Sequence, residues 1–401
     1  TMTSNQSLEG ITVIDCSQIL AGPFCSMLLA DHGARVIKVE KPNGGDDVRG
    51  WGPPFIGDDS SAFVQLNRNK ESISLDIKEK SGKEILKKLL KTADVLIENS
   101  RVGTMDKLGF GYDDVKKINS KIIYCSITGF GSEGPYSKRG GFDLIAQGMS
   151  GLMSITGHPN SPPSKVGVPI ADLNTGMFAM QGILSAYIHR LKKNEGQYIE
   201  VSLLESALAY TMYESSIYFT TGKISTPDGS AHRLTAPYQA FKTKDGYINI
   251  GAANQSNWER LLNVLGLENL NNDPEFSDSK SRQVNRKKLE KILEKIFITK
   301  SSKEWIKILI ESSIPSGPIY NMKEVWEDEQ VKFRKMEVKL DHPKQKNSRN
   351  IGVAVKLSKT PGKIKTPAPL YGEHSKGILK ELGYSDKEIN NLIKSNITGL
   401  K

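Results

Sequence analysis

Short β-branched runs alternate with longer amphipathic stretches between Ile11 and Val201. The runs are Ile11-Thr12-Val13-Ile14, Val36-Ile37-Lys38-Val39, Val95-Leu96-Ile97, Ile122-Ile123-Tyr124-Cys125 and Tyr198-Ile199-Glu200-Val201. This rhythm predicts an α/β domain in which helices cover a mostly parallel sheet. Between Leu173 and Leu191, apolar residues at 173, 177, 180, 184, 187, 188 and 191 have the spacing of one helix face. A neighbouring face is small, with Gly176, Ala179, Gly182, Ser185 and Ala186, and suits the close approach of another backbone. From Thr221 to Ser230 the pattern breaks into Gly, Ser, Pro and Asp and reads as a linker. Beyond it, Phe241-Lys242-Thr243, an Asp245-Gly246 turn and Tyr247-Ile248-Asn249-Ile250 predict a hairpin. Helical patterns near 256–265, 285–298 and 302–312 complete a smaller α+β domain. The Lys-rich stretch 332–365 reads as a return linker with edge strands. Residues 375–393 are helical again, broken at Leu382-Gly383-Tyr384-Ser385, and are expected to pack on the first domain. The expected division is 1–220 for the first part of the large domain, 221–330 for the small domain with its linker, and 331–401 for the return linker and the rest of the large domain.

Composition changes this picture only at its edges. With 37% hydrophobic and 25% charged residues the chain is an ordinary globular one, neither disordered nor fibrous. The 55 Lys and Arg outnumber the 45 Asp and Glu, and the resulting +10 favours anionic partners at encounter. Nucleic acid is the weaker candidate, because no zinc, helix-turn-helix or RNP-like pattern appears and the surplus is spread through the C-terminal half. Cys16, Cys25 and Cys125 show no pairing or metal-ligand spacing, which points to a reducing, cytoplasmic compartment. The N-terminus has no export pattern, and nothing approaches the roughly 18 consecutive apolar residues of a membrane span. The six histidines show no metal-site spacing, so no metal is expected.

Candidate chemistry lies in the first domain. Gly129-Phe130-Gly131-Ser132-Glu133-Gly134 matches G-x-G-x-x-G after a predicted strand. Pro135 and Gly140-Gly141 prolong the loop, however, the strand is not the first, and no following strand carries an acidic residue about 20 positions on. A glycine loop lining a cleft is expected there, not an NAD site. Asp172 stands at or beside the start of the 173–191 helix. It is either a helix cap satisfying orphan N–H groups or a nucleophile kept ionised by the positive helix end and stripped of water by apolar neighbours. Lys38, Lys41, Lys107, Lys138 and Arg139 fall at strand ends or in loops, where open sheets bind ligands. Neither a G-x-S-x-G elbow nor a phosphate-binding P-loop is present.

Several segments, in order along nearly the whole chain, resemble the class III CoA-transferases, the family of formyl-CoA transferase and L-carnitine CoA-transferase. They are Leu8-Glu9-Gly10-Ile11 with Ala21-Gly22-Pro23, Ala30-Asp31-His32-Gly33-Ala34, Asn67-Arg68-Asn69-Lys70, Glu98-Asn99, Gly129-Phe130-Gly131 with Gly134-Pro135-Tyr136, Gly141-Phe142-Asp143, Asp172 with Gly176, Pro237-Tyr238, and Pro367-Ala368-Pro369-Leu370-Tyr371-Gly372-Glu373-His374. The resemblance implies a Rossmann-like α/β large domain made from both chain ends, a smaller inserted domain, and two interlocked subunits. It implies that Asp172 is the nucleophile that carries CoA as an aspartyl thioester, with Asp143 as its acidic neighbour, Trp51 near the acyl group, and Gly129 and Gly131 in the loop over the site. By position, CoA contacts fall on Gln18, Ile19, Lys41, Leu75, Lys78, Asn99, Lys107 and Arg139. Coenzyme A or acyl-CoA is then a substrate, and no metal, NAD, nucleic acid or membrane enters.

Departures narrow the substrate. Leu20 precedes Ala-Gly-Pro where formyl-CoA transferases have glutamine, and Asp228-Gly229-Ser230-Ala231-His232 stands where they have a run of glycines. The segments Gly141–Gln147, Ser154–Gly157 and Pro237–Phe241 look like members that use succinyl-CoA with dicarboxylate acceptors. A second carboxylate needs a cation, which Arg49, His232 or Arg233 could supply. The related 2-methylacyl-CoA racemases need a histidine where this chain has Phe142, so α-proton exchange lacks one of its two bases. A catalytically idle CoA-binding protein is the third reading.

Overall fold

Apart from Tyr198–Val201, which is largely exposed, the apolar runs of the first half become strands buried on both faces, and such strands need helices on either side to cover them. In the computed structural model, which describes residues 6–399, the first strands are β1 (Thr12–Asp15), β2 (Arg35–Glu40), β3 (Phe55–Ile56), β4 (Asp59–Ser60), β5 (Lys70–Ser74), β6 (Val95–Glu98), β7 (Ile123–Thr128) and β8 (Gln197–Ser202). Six of them form one sheet in the order β5-β2-β1-β6-β7-β8, parallel throughout. Val13 lies beside Val36 on one side and Val95 on the other. The winding reverses between β1 and β6, and the crevice outside the carboxyl ends of strands at such a reversal is where open sheets bind ligands.

On one sheet face Ile14, Ile37, Ile73, Leu96 and Tyr124 pack with Leu86, Leu89 and Leu90 of the Lys80–Thr92 helix. The same core takes Ile378, Leu379, Ile389 and Ile397. The C-terminal helices Ser375–Glu381 and Asp386–Lys394 therefore return to the large sheet, as their pattern predicts.

The long helix Ile170–Lys193 forms where its periodicity places it, but with the other face inward. Ala171, Asn174, Thr175, Gly176, Ala179, Ile183 and Ala186 are buried, whereas Met177, Ile188 and Leu191 are exposed. Close packing against the Ala21–Asp31 helix decides this. A Cβ on Gly176 would lie 2.8 Å from the Ala21 carbonyl oxygen and 2.9 Å from Phe24 Cδ1, so only the small face fits.

The chain up to Ser150, Gly167–Tyr210 and the chain from Glu329 form one unit, and Gly151–Val166 with Thr211–Asp328 form another. The boundary thus falls at Tyr210 instead of 220, which places the Met212–Thr221 helix in the smaller unit. In that unit β9 (Tyr238–Lys242) and β10 (Tyr247–Gly251) make the predicted hairpin, and β11 (Ser316–Pro318) extends it. Helices Gln255–Leu265, Arg286–Phe297 and Ser302–Glu311 cover the hairpin through Trp258, Leu262, Leu293, Phe297 and Trp305. The Lys-rich stretch contains a two-stranded hairpin of its own, β12 (Glu337–His342) and β13 (Gln345–Ile351), in the larger unit.

Candidate active site

The parallel strands bring the predicted CoA contacts to one edge of the sheet. Gln18 and Ile19 follow β1, Lys41 follows β2, Leu75 and Lys78 follow β5, Asn99 follows β6, and Lys107 lies in the Thr104–Leu108 helix just beyond. Gln18 and Asn99 are joined reciprocally. Asn99 Nδ2 donates to the Gln18 carbonyl at 2.7 Å, and its Oδ1 accepts the Gln18 N–H at 3.0 Å. That pair ties the ends of β1 and β6 together across the reversal. Gln18, Lys41, Lys78 and Lys107 are exposed, so three ammonium groups face solvent along this edge. Lys41 pairs there with Asp47.

Leu75 is 1% exposed and its side chain packs in the core, which leaves its backbone at this edge. One reading of this edge is corrected. Lys38 is wholly buried, with Nζ 2.8 Å from Asp46 Oδ2 and donating to the Ser17 carbonyl at 3.0 Å. Its place in the middle of β2, on a face that the sheet covers, turns an expected surface charge into an internal one.

After β7 the glycine loop runs on without helix or strand until the Asp143–Met149 helix opens. Its ends meet backbone to backbone: a Cβ on Gly129 would lie 2.9 Å from Gly141 Cα. Gly131 has φ +99°, a conformation that favours glycine. The Gly131 N–H is engaged by Thr128 Oγ1 at 2.8 Å and that of Ser132 by Glu200 Oε2 at 3.1 Å. Arg139 is exposed and lies over the rings of Phe130 and Tyr136, 5.2 and 4.6 Å from their centroids.

Asp172 is the third residue of the long helix and not its cap; Pro169 precedes the first turn and no side chain caps it from that position. The capping role falls to Asp143. Its Oδ1 accepts the N–H groups of Ala171 at 2.8 Å and Asp172 at 3.2 Å, and its Oδ2 accepts Gln147 Nε2 at 2.7 Å. Gln147 is fully buried, one helical turn beyond Asp143. The expectation that the helix end keeps Asp172 ionised is therefore corrected. Burial, and then the nearby charge of Asp143, push the Asp172 carboxyl up to about 7. A group poised there is partly ionised at neutral pH and poorly solvated when it is, which suits a carboxylate that must attack carbon.

Trp51 is 56% exposed, directly after the Asp47–Gly50 turn. Arg49 is not available as a substrate cation. Its Nε and Nη2 donate to the two oxygens of Glu40 at 2.8 Å, Nη1 lies 3.0 Å from Asp59, Pro369 accepts through its carbonyl, and the guanidinium stacks 3.7 Å from the Phe63 ring centroid. Every face of that guanidinium is occupied. His232 and Arg233 belong to the smaller unit, where His232 lies between Tyr213 and Tyr238 and Arg233 donates to the Thr226 carbonyl at 2.6 Å and to Glu214 at 3.4 Å. Glu40, Asp46 and Gln147 escape the sequence reading. Gln147 alone leaves a local signal, its spacing of four from Asp143 on one helix.

The α/β sheet with its reversal point, the half-buried acid pair and the crowded glycine loop suit an anionic, extended ligand at the strand ends. The family model for CoA-transferase family III matches residues 8–375, and the chain belongs to that family; it is an enzyme that transfers CoA. Over 397 residues it is 40% identical to succinyl-CoA:glutarate CoA-transferase of Homo sapiens, covering 99% of this chain and 91% of that one. It is 36% identical to succinyl-CoA:mesaconate CoA-transferase of Haloarcula marismortui, over 94% of this chain and 96% of that one. A solved CAIB/BAIF family protein from Brucella suis superposes with a TM-score of 0.84 at 37% identity, over 94% of this chain and all of that one. Among the described residues no helix is long and apolar enough to cross a membrane, and no group of His, Cys, Asp and Glu could hold a metal ion.

Proposed function

We propose that the protein moves CoA from succinyl-CoA to a free dicarboxylic acid through an aspartyl-CoA thioester on Asp172. The observation that carries the reading is the raised, half-buried Asp172 carboxyl beside Asp143. The names of the relatives in Homo sapiens and Haloarcula marismortui, each pairing succinyl-CoA with a dicarboxylate, supply the substrate class.

The ionised Asp172 carboxylate attacks the donor thioester carbonyl, the C–S bond breaks, and a mixed anhydride and CoA thiolate form. The thiolate then attacks the Asp172 carbonyl, the anhydride C–O bond breaks, succinate leaves, and CoA is held as an aspartyl thioester. The acceptor carboxylate attacks that thioester and repeats the two steps in reverse, which regenerates the Asp172 carboxylate. Each step exchanges one activated acyl bond for another, so covalent catalysis divides one difficult transfer into easier ones. Gln18, Ile19, Lys41, Lys78, Asn99, Lys107 and Arg139 contact CoA in this reading, Trp51 borders the acyl group, and the Gly129–Gly134 loop lies over it. With Arg49 committed to Glu40 and Asp59, His232 and Arg233 are the candidates for the second carboxylate.

The reading includes an interlocked homodimer. Met177, Ile188 and Leu191 form an exposed apolar stripe on the long helix, and Met212 and Phe219 are 69% and 82% exposed, surfaces of the kind a partner subunit covers. The three free cysteines fit a reducing, cytoplasmic location.

Intact-mass and peptide mass spectrometry after mixing with succinyl-CoA and quenching in mild acid tests the chemistry. A CoA-sized adduct on the peptide bearing Asp172, absent in Asp172→Ala, is the expected result. Acyl-CoA that binds but leaves no adduct, or deuterium exchange at the acyl α-carbon without an acceptor acid, would overturn it.

A further inference from the structure

The turn Ser17-Gln18-Ile19 at the end of β1 is held at almost every backbone group. The Ser17 N–H goes to Asp15 Oδ1 at 2.9 Å and its carbonyl takes Lys38 Nζ at 3.0 Å, while Asn99 engages both polar groups of Gln18. Ile19 then adopts φ +73°. A β-branched residue in that region is strained and stays there only when its surroundings over-determine it. The over-determining group is Asp46. Its two oxygens lie 3.1 and 3.2 Å from the Ile19 nitrogen, Oδ1 also accepts the Val48 N–H at 3.1 Å, and Oδ2 faces Lys38 Nζ at 2.8 Å. Asp46 is 3% exposed and Lys38 0%. A buried ion pair contributes little net stability compared with apolar residues of the same volume. This one grips the turn from both ends, the ammonium on residue 17 and the carboxylate on residue 19.

We propose that Asp46 is a positioning residue for CoA: by holding the Ile19 N–H it fixes Ile19 in the left-handed conformation and thereby sets the Gln18-Ile19 turn at the sheet reversal where CoA binds. The inference rests on the reading of that turn as a CoA contact. Asp46 itself touches no substrate. Without its carboxylate, Ile19 relaxes to negative φ and the turn no longer presents the same surface.

Calorimetric titration with CoA, together with KM and kcat for succinyl-CoA, tests this on the full chain. Asp46→Ala is expected to weaken CoA binding and raise KM by about tenfold or more, with kcat changed much less. Asp46→Asn keeps an acceptor oxygen for the Ile19 N–H and is expected to recover most of that loss. In an Ile19→Gly background, where positive φ carries no strain, Asp46→Ala is expected to cost clearly less than in the wild-type background. Should Asp46→Ala fail to fold because Lys38 is left unpaired, Asp46→Ala in a Lys38→Met background, compared with Lys38→Met alone so that the lost Ser17 contact cancels, tests the Asp46–Ile19 contact. Binding like wild type in a folded Asp46→Ala chain, an equal loss in the Ile19→Gly background, or failure of both variants to fold would overturn the proposal. Wild-type protein that binds neither CoA nor succinyl-CoA would instead overturn the reading of the turn as a CoA contact, and this inference with it.

Discussion

Asp143 Oδ1 takes the backbone N–H of Asp172, and that of Ala171 before it, so the first turn of the long helix serves the neighbouring carboxylate and not the one it carries. Two acids thus share one helix end unequally. Asp143 receives three hydrogen bonds, whereas Asp172 is left with burial and a like charge, both of which disfavour its ionised form.

Asp143→Asn keeps an acceptor for those N–H groups and removes the repelling charge. The acid limb of the pH–rate profile, set in the wild type by a group titrating near 7, is expected to move down by about one pH unit or more. Steady-state kinetics from pH 5 to 9 measure it, and an unmoved limb would show that Asp143 does not tune Asp172.

Asp172→Asn is expected to abolish turnover while stabilising the fold in alkaline solution. A carboxyl whose pKa is higher in the folded state than its ordinary 3.8 binds its proton more tightly when folded. Its contribution is therefore complete below about pH 4 and is lost as pH rises through about 7. The uncharged asparagine escapes that loss, so urea unfolding at pH 8 should show a gain of up to about 4 kcal/mol over wild type that fades near pH 4. A gain that does not depend on pH would contradict the raised Asp172 carboxyl.

Arg49→Met leaves Glu40 and Asp59 buried without their cation. A loss of about 3–5 kcal/mol in unfolding free energy is expected, with KM for the acceptor acid little changed in whatever fraction stays folded. A stable variant with a selective rise in acceptor KM would return Arg49 to the substrate site.

Gly176→Ala places a methyl group against the Ala21 carbonyl and the Phe24 side chain. Overpacking at such a contact costs about 1–3 kcal/mol, and thermal unfolding should show it. An unchanged melting temperature would mean that the Ala21–Asp31 helix can yield there.

Periodicity and turn chemistry made most of the elements legible, because strands such as Val95–Glu98 and the Tyr238–Gly251 hairpin carry their own pattern. β5 carries none. Lys70-Glu71-Ser72-Ile73-Ser74 has one apolar residue, and its buried polar groups draw on partners from distant parts of the chain: Lys70 on the Pro23 carbonyl, beside the nearer Asn67 Oδ1, and Ser72 Oγ on Glu40. The long helix shows a different limit. Apolar spacing finds a helix, but which face turns inward depends on how near the next helix lies, and Gly176 sets that distance. In the site, Asp172 and Asp143 stand out through family resemblance, yet their unequal share of the helix end depends on residues 28 and 29 positions apart meeting in space. Lys38 and Arg49 misled for a related reason, since their counter-charges, Asp46 for the one and Glu40 and Asp59 for the other, become visible only when the chain has folded around them.

The return of the C-terminal helices to the first core sets an order in time. Ile14 and Ile37 lie in one apolar cluster with Ile378, Leu379, Ile389 and Ile397, so a chain emerging from the ribosome cannot close the core that its earliest strands begin. The smaller unit has all of its residues once Asp328 is out, while the older strands still wait for their last partners. Vectorial synthesis therefore leaves the parallel sheet with exposed apolar surface for most of translation, the interval in which a nascent chain is most open to aggregation and most in need of a chaperone.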